Sequence, residues 1–302
     1  MFDFGGRKYW FLLLSAVVII AGIVGLVVFN LNLGVDFRSG STMTIDFTEA
    51  EVTQEELRQA LTELGYGNAT IQAVVEGEGD FVITTSLLTE TEREDLKQQL
   101  ESRFNSPITI LHAYNVSPLV AHEIWRNAAI AVAVGAVGVL LYTTLAFRKL
   151  PSPFRYGTCA IIALLHDVLI VVGVFALLRV EVNAMFIIGL LTVIGYSVNN
   201  TIVVFDRIRE NMGKWSVDFP TTVNRSLTET LARSLNTSLT TLLVLLALFL
   251  FGGATIHNFV LVLIIGVISG TYSSIFIASQ ILVIWEGGDI GRFFRRITLR
   301  PA

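Results

Sequence analysis

The chain has 302 residues, of which 53% are hydrophobic and 15% are charged, and its mean hydropathy is +0.67. Soluble domains contain about 45–50% apolar and about 25% charged residues, and disordered chains are less hydrophobic and more highly charged. The composition therefore excludes both an ordinary soluble globular protein and a disordered chain. The apolar residues form long runs separated by short basic stretches and one long polar stretch, which is typical of a helical membrane protein.

The net charge of −4 conceals an uneven distribution of charged residues. Residues 30–125 contain 16 acidic and 5 basic residues, a net charge of −11, and the rest of the chain carries +7. The one cysteine, Cys159, lies inside an apolar run, so no disulfide can form within the chain. Neither a metal site nor a cofactor is indicated.

Six apolar runs are long enough to cross about 30 Å of hydrocarbon as helices. We predict membrane spans at residues 9–29, 127–147, 157–178, 184–205, 234–251 and 258–285. The first run is too long for the core of a signal peptide, and no small-residue cleavage site follows it. It is therefore interpreted as a retained anchor.

Lysine and arginine are concentrated in alternate short loops. Thirteen lie before the first span, in the loops after the second and fourth spans, and after the sixth, and only Arg179 lies on the other side. The positive-inside rule then places both termini in the cytoplasm and the acidic block on the far side of the membrane. The basic loops and the tail GRFFRRITLR (291–300) predict contact with anionic lipid, and not with nucleic acid.

The acidic block shows the order β-α-β-β-α-β of a ferredoxin-like α+β domain. Thr53 and Thr89 each precede a glutamate by three residues, which predicts a capping box at the start of each helix. Strands are predicted at 42–47, 69–75, 80–86 and 107–114, with the acidic turn EGEGD (76–80) between the middle two. The chain thus divides into residues 1–30 with the first span, an extracytoplasmic domain at 31–125, and residues 126–302 with five spans and a tail.

No enzyme is predicted from the sequence. His112 lies in a predicted strand without a nucleophile or metal partner at useful spacing. The chain also lacks a P-loop, a Rossmann glycine fingerprint and a nucleophile elbow.

Polar side chains inside the spans are the candidate functional residues, because such groups are costly in a bilayer and usually face the interior of the helix bundle. Asp167, next to His166, lies within the third span and is interpreted either as a relay group or as a hydrogen-bonded packing contact. The fourth span carries a polar stripe at helical spacing, formed by Thr192, Tyr196, Asn199, Asn200 and Arg207.

The fifth and sixth spans add a second stripe and a row of small residues. Arg233 precedes Asn236, Thr237, Thr240 and Thr241, and it either extends to the membrane surface or faces the stripe of the fourth span. Gly266, Gly270 and Ser274 follow at four-residue spacing, which favours close helix packing, within the chain or against another subunit.

Several segments resemble the SecF family of the bacterial Sec protein-export machinery, within the resistance-nodulation-division (RND) superfamily. They are GVDFRSGS (34–41), HDVLIVVG (166–173), IGYSVNNTIVVFDRIREN (194–211) and ARSLNTSLTTLL (232–243). The resemblance covers nearly the whole chain. It implies an inner-membrane subunit that pairs with SecD, associates with the SecYEG channel and uses the proton-motive force to promote late steps of preprotein export.

The resemblance also implies a coupling site and shows a departure from it. In the family an aspartate of the fourth span carries the proton near an arginine of the fifth span; Arg233 matches that arginine, but Asn200 occupies the aspartate position. An amide does not titrate. The chain is therefore an engineered variant, a natural homologue that couples through Asp167 or through an acid on SecD, or a protein that has lost coupling.

Two other functions remain open on the residues alone. One is half of an RND-type exporter of a lipid or small molecule, which needs a site for an apolar ligand in the far-side domain. The other is a non-transporting assembly scaffold, although a scaffold has no need to bear the cost of burying Arg233.

Overall fold

The computed structural model describes Phe4, Gly6 and residues 8–74, 80–214 and 218–286. Arg7, most of the predicted acidic turn and the predicted lipid-binding tail lie outside these residues. The first part of the chain contains α1 (Lys8–Phe29), β1 (Asn32–Leu33), α2 (Val35–Arg38), β2 (Gly40–Phe47), α3 (Gln54–Glu63), β3 (Thr70–Ala73), β4 (Phe81–Thr85), α4 (Glu90–Phe104) and β5 (Ile108–Val116). The second part contains α5 (Pro118–Ala146), α6 (Pro153–Leu178), β6 (Glu181–Val182), α7 (Ala184–Lys214), α8 (Phe219–Phe251), α9 (Ala254–Ser273), a π-helical segment (Ser274–Ala278) and α10 (Ser279–Glu286).

The six predicted membrane spans are confirmed by six long, apolar helices in the described residues. They are α1, α5, α6, α7, α8 and the continuous helix formed by α9, the π-helical segment and α10. Several helices extend well past the predicted bounds: α5 begins at Pro118, α7 continues to Lys214 and α8 begins at Phe219. An apolar run marks the part of a helix that suits hydrocarbon, and polar turns continue the helix beyond it.

The predicted ferredoxin-like domain is also confirmed. The sheet has the strand order β3-β4-β2-β5 with antiparallel neighbours, and β2 carries an irregularity between Thr44 and Ile45. The capping boxes at Thr53 and Thr89 are present at the starts of α3 and α4. Helix and sheet residues together form one buried core, which includes Leu57, Leu61, Leu96, Leu100, Met43, Ile45 and Ile83.

A short parallel pair of strands joins this domain to the membrane helices. Two residues of β1 pair with two residues of β6, and the backbone N–H of Gly34 donates to the carbonyl of Val182 at 2.9 Å. The Asp36 carboxylate accepts a hydrogen bond from the backbone N–H of Ala184 at 2.7 Å, at the start of α7. The segment after α1 is thereby fixed to the loop between α6 and α7.

The most buried spans are α6, α7 and α9, whereas α1, α5 and α8 are more peripheral. Glycines allow two of the closest helix contacts: Gly22 of α1 lies against Gly173 of α6, and Gly266 of α9 lies against Val193 of α7. The centre of the bundle is thus formed by three helices that all carry buried polar side chains.

Candidate functional site

Asp167 lies at the centre of a buried hydrogen-bond network in the membrane helices. Its side chain on α6 is 1% exposed. Three serine hydroxyls donate to its carboxylate: Ser197 of α7 at 2.5 Å, Ser269 of α9 at 2.6 Å and Ser273 of α9 at 2.7 Å. One carboxylate thereby links the three central helices.

His166 extends this network to the first helix. Its Nδ1 lies 3.0 Å from an oxygen of Asp167, and its Nε2 lies 2.9 Å from the hydroxyl of Ser15 on α1. The imidazole stacks on Tyr272, with ring centroids 6.1 Å apart, and the Tyr272 hydroxyl donates to the carbonyl of Phe11 at 2.8 Å. Asp167, His166 and Tyr272 are the titratable side chains that these contacts bring together.

The geometry fits a carboxylate whose acceptor positions are filled and an imidazole that can hold a proton on either ring nitrogen. An ionised carboxylate has about four acceptor positions, and the three hydroxyls and the imidazole N–H occupy them. With Nδ1 protonated and donating to Asp167, Nε2 accepts from Ser15. When Nε2 takes a proton it donates to the same hydroxyl, so the heavy atoms need not move.

Asn200 lies on the buried face of α7, one helical turn from Ser197. It is 4% exposed, and its amide nitrogen has no hydrogen-bond partner in the described part of the chain. An unpaired buried donor costs about 1–3 kcal/mol. The position matched to the family's aspartate is therefore internal and polar, yet its present side chain cannot change charge.

One of the two interpretations of Arg233 placed it against the polar stripe of the fourth span. The structure does not place it there. The buried face of α8 contains Ser226, Thr230, Ser234, Ser238 and Leu245. Arg233 precedes Ser234 by one residue, which rotates it by about 100° onto the exposed surface. No ion pair among the described residues involves Arg233.

The five supporting residues of the predicted polar seam are only partly brought together. The hydroxyls of Tyr196 and Ser238 share a hydrogen bond at 3.0 Å, and Ser238 shares another with Thr271 at 2.5 Å, which links α7, α8 and α9. Four predicted members are instead exposed on the helix surfaces: Thr192, Asn199, Thr237 and Thr240. Their separation follows from helical geometry, because neighbouring Asn199 and Asn200 point about 100° apart.

The small residues of the sixth span lie where α9 crosses α7. A Cβ atom added to Gly266 would overlap the side chain of Val193, and one added to Gly270 would lie 3.1 Å from the Cβ of Ser197. Ser274 is fully buried in the π-helical segment, and its hydroxyl donates to the carbonyl of Thr271 at 3.0 Å. These residues set the separation of α7 and α9, the two helices whose serines donate to Asp167.

Sequence reasoning missed the serines of this network, namely Ser197, Ser269 and Ser273 around Asp167 and Ser15 beside His166. A usable signal was present in the sixth span, where Ser269 and Ser273 repeat at four-residue spacing next to Gly266 and Gly270. The charged end of the fourth span also has a structural role. Arg207 donates to Glu229 of α8 at 2.8 Å, and Asn211 donates to the same carboxylate at 2.8 Å.

Known proteins match this chain along its length. Residues 95–288 match the family described as protein export membrane protein SecD/SecF, C-terminal, and residues 24–51 match the SecD/SecF GG motif. The protein translocase subunits SecF of Thermobaculum terrenum and Anaerolinea thermophila are 46% and 39% identical, over 98% of this chain and 98% of each relative.

Longer fused proteins match as well. The protein translocase subunit SecDF of Bacillus subtilis is 35% identical over 95% of this chain and 38% of its own length. A crystal structure of SecDF from Thermus thermophilus, titled a translocon-associated membrane protein, has a TM-score of 0.83 at 35% identity, covering 95% of this chain and 39% of that one. This chain therefore spans less than half of each fused protein. With its six spans, its ferredoxin-like domain and these full-length matches, it belongs to the SecD/SecF family of protein export membrane proteins, among the translocase subunits SecF.

Proposed function

We propose that the chain is an auxiliary subunit of the Sec protein translocase that acts with a SecD partner and the SecYEG channel on preproteins in transit. The full-length identity to SecF subunits is the observation that carries this proposal. The fused SecDF proteins support the partnership with SecD. This chain matches only 38% of the Bacillus subtilis SecDF sequence, and the fused name indicates that SecD and SecF act together. In this proposal a SecD partner corresponds to the remaining part of the fused proteins.

The exposed polar face of α8 supports a partner within the membrane. Arg233, Asn236, Thr237 and Thr240 all lie on the surface of this helix in the single chain. Arginine in contact with hydrocarbon costs several kcal/mol, and such residues usually pair with other polar groups. SecD covers this face in the assembled protein.

The proton-motive force acts on this chain through Asp167 and His166. Asn200 cannot carry a proton between two charge states. Asp167 is buried among the central helices, and the contacts of Asp167 and His166 together span α1, α6, α7 and α9. A change of protonation at this network acts on four helices at once.

The distribution of lysine and arginine supports an orientation for the protein in the bacterial inner membrane. Both termini lie in the cytoplasm and the α+β domain lies on the far side, as the positive-inside rule requires. The basic loops contact anionic lipid headgroups.

Affinity isolation of the tagged chain from its native membranes tests the proposed function. SecD and SecYEG are expected in the isolated complex, and Arg233→Glu is expected to reduce recovery of SecD. Arg148→Glu, at an exposed arginine after α5, is the matched control and leaves recovery unchanged. Recovery of a lipid or small molecule without Sec components would contradict the proposal and favour an RND-type exporter.

A further inference from the structure

A cavity of about 820 Å³ lies between the α+β domain and the loops that connect the membrane helices. Helices α3 and α4 cover one face of the sheet, and the cavity lies under the other face. From the sheet it is lined by Thr42 and Thr44 of β2, Gln72 of β3, Val82 and Thr84 of β4, and His112, Ala113 and Tyr114 of β5. Its volume is within the range of about 300–1,000 Å³ usual for ligand sites.

The opposite wall of the cavity is acidic. Asp36 and Glu181 line it, and none of its described lining residues is lysine or arginine. Burial raises the pKa of Glu181, and the nearby Asp36 carboxylate raises it further. Burial likewise raises the pKa of Tyr114, with a smaller contribution from Asp36. The two carboxyl side chains, with no lysine or arginine among the described lining residues, favour a positive charge in this cavity.

The polar side chains on the sheet side are arranged at the repeat of an extended chain. Thr42 and Thr44 are two residues apart on β2, and they pair with Tyr114 and His112 of β5. Side chains on one face of a strand recur every two residues, about 6.6 Å apart, and an extended polypeptide has the same repeat. Hydroxyl, imidazole and amide groups supply both donors and acceptors for such a chain.

We infer that this cavity binds a short extended polypeptide segment whose lysine or arginine side chain lies beside Asp36 and Glu181. Its occupant is a stretch of the exported chain, and this identification rests on the proposed function. The hydroxyl-rich sheet face contacts the segment without selecting one sequence. The acidic wall selects segments by charge.

Peptide binding to the purified full-length protein in detergent tests the recognition itself. The probes are two fluorescent ten-residue peptides of serine, threonine and valine, one with a central lysine and one with glutamate at that position. The lysine peptide is expected to bind more tightly, and Glu181→Gln is expected to weaken its binding by about two- to fivefold, as for one ion pair. Glu55→Gln, on the exposed surface of α3, is the matched control and leaves binding unchanged. Equal binding of the two peptides would overturn the inference.

Disulfide crosslinking in membranes tests the occupant. The one native cysteine, Cys159, is buried in α6, so an introduced cysteine supplies the accessible thiol. Thr84→Cys in the cavity is expected to crosslink to a cysteine near a lysine in a stalled preprotein, whereas Ser102→Cys on α4 is not. Crosslinking of the Thr84→Cys variant to SecD, and never to the preprotein, would overturn the inference while leaving the proposed function intact. Isolation of the chain without SecD or SecYEG, in contrast, would contradict the proposed function and leave the peptide-binding result to stand on its own.

Discussion

At the scale of single residues, Asp167 differs from an isolated buried charge because its hydrogen bonds are nearly complete. Three serines and His166 surround a carboxylate that is 1% exposed. A buried charge without such partners is very costly. The sequence alone therefore overstates the free-energy cost of burying Asp167, because the hydroxyls that donate to its carboxylate come from other helices.

His166 is predicted to carry protons through the network. Its two ring nitrogens contact Asp167 and Ser15, and an imidazole can hold a proton on either nitrogen. His166→Gln keeps hydrogen-bonding capacity but removes the imidazole. Proton conductance of vesicles containing the complex should therefore be largely lost.

Ser15→Ala is the matched control for this variant. It removes one hydroxyl from the same network and leaves the imidazole in place, so conductance should fall less than in His166→Gln. Unchanged conductance in His166→Gln would exclude His166 as the group that takes the proton.

At the scale of elements, the close contact of α7 and α9 positions the serines around Asp167. Gly266→Ala is predicted to destabilise the protein by about 1–3 kcal/mol, because the added methyl group overlaps Val193. Thermal unfolding in detergent measures the effect as a lower midpoint.

Gly135 of α5 provides a matched control for that substitution. A Cβ atom added there meets nothing within 4 Å, and alanine favours a helix over glycine by up to about 1 kcal/mol. Gly135→Ala should therefore keep or raise the unfolding midpoint. A midpoint that falls equally in both variants would show that the α7–α9 contact is not the cause.

The junction between the domain and the membrane helices is predicted to weaken as pH rises. Glu181 accepts a hydrogen bond from Gln72 at 3.2 Å, and its pKa is raised above the ordinary value of 4.5 by burial and then by Asp36. An acid with a raised pKa binds more protons in the docked state, so its contribution to stability is present at low pH and is lost as pH rises through the raised pKa.

Hydrogen exchange at the Gly34 amide, corrected for its intrinsic pH dependence, measures this junction because that N–H bonds to Val182 across the strand pair. Protection should decrease as pH rises above about 4.5 in the native chain. Glu181→Gln should remove the dependence, and Glu55→Gln should retain it. Protection that increases with pH would contradict the assigned sign.

At the scale of the whole molecule, the sequence predicted the architecture well because its signals are local and repeated. Apolar runs mark the spans, and alternation with capping boxes marks the ferredoxin-like order. The β1–β6 pair escaped prediction because it contains two residues from each strand, separated by the whole domain and two spans. A pattern of two residues carries no periodicity.

The candidate site was harder to predict than the fold because its contacts are distant in the sequence. Asp167 and His166 were identifiable as rare polar residues in a span, but Ser15 and Ser273 lie far from them along the chain. Serine is common in membrane helices, so apart from the four-residue spacing of Ser269 and Ser273 the sequence does not single these serines out. The outward position of Arg233 also depends on which neighbouring helices pack against α8, which a single helical pattern does not specify.

We propose above all that Asp167 couples the proton gradient to preprotein export. Measuring how export depends on that gradient tests this proposal most directly. Preprotein export into membrane vesicles containing the proposed partners SecD and SecYEG is compared with and without a proton gradient, for the unaltered chain, Asp167→Asn and Asn200→Asp. Asp167→Asn should retain SecD in the isolated complex but lose the stimulation by the gradient, whereas Asn200→Asp, which introduces a titratable group near Ser197, should change the size of that stimulation. Full stimulation in Asp167→Asn, with no effect of Asn200→Asp, would contradict the account.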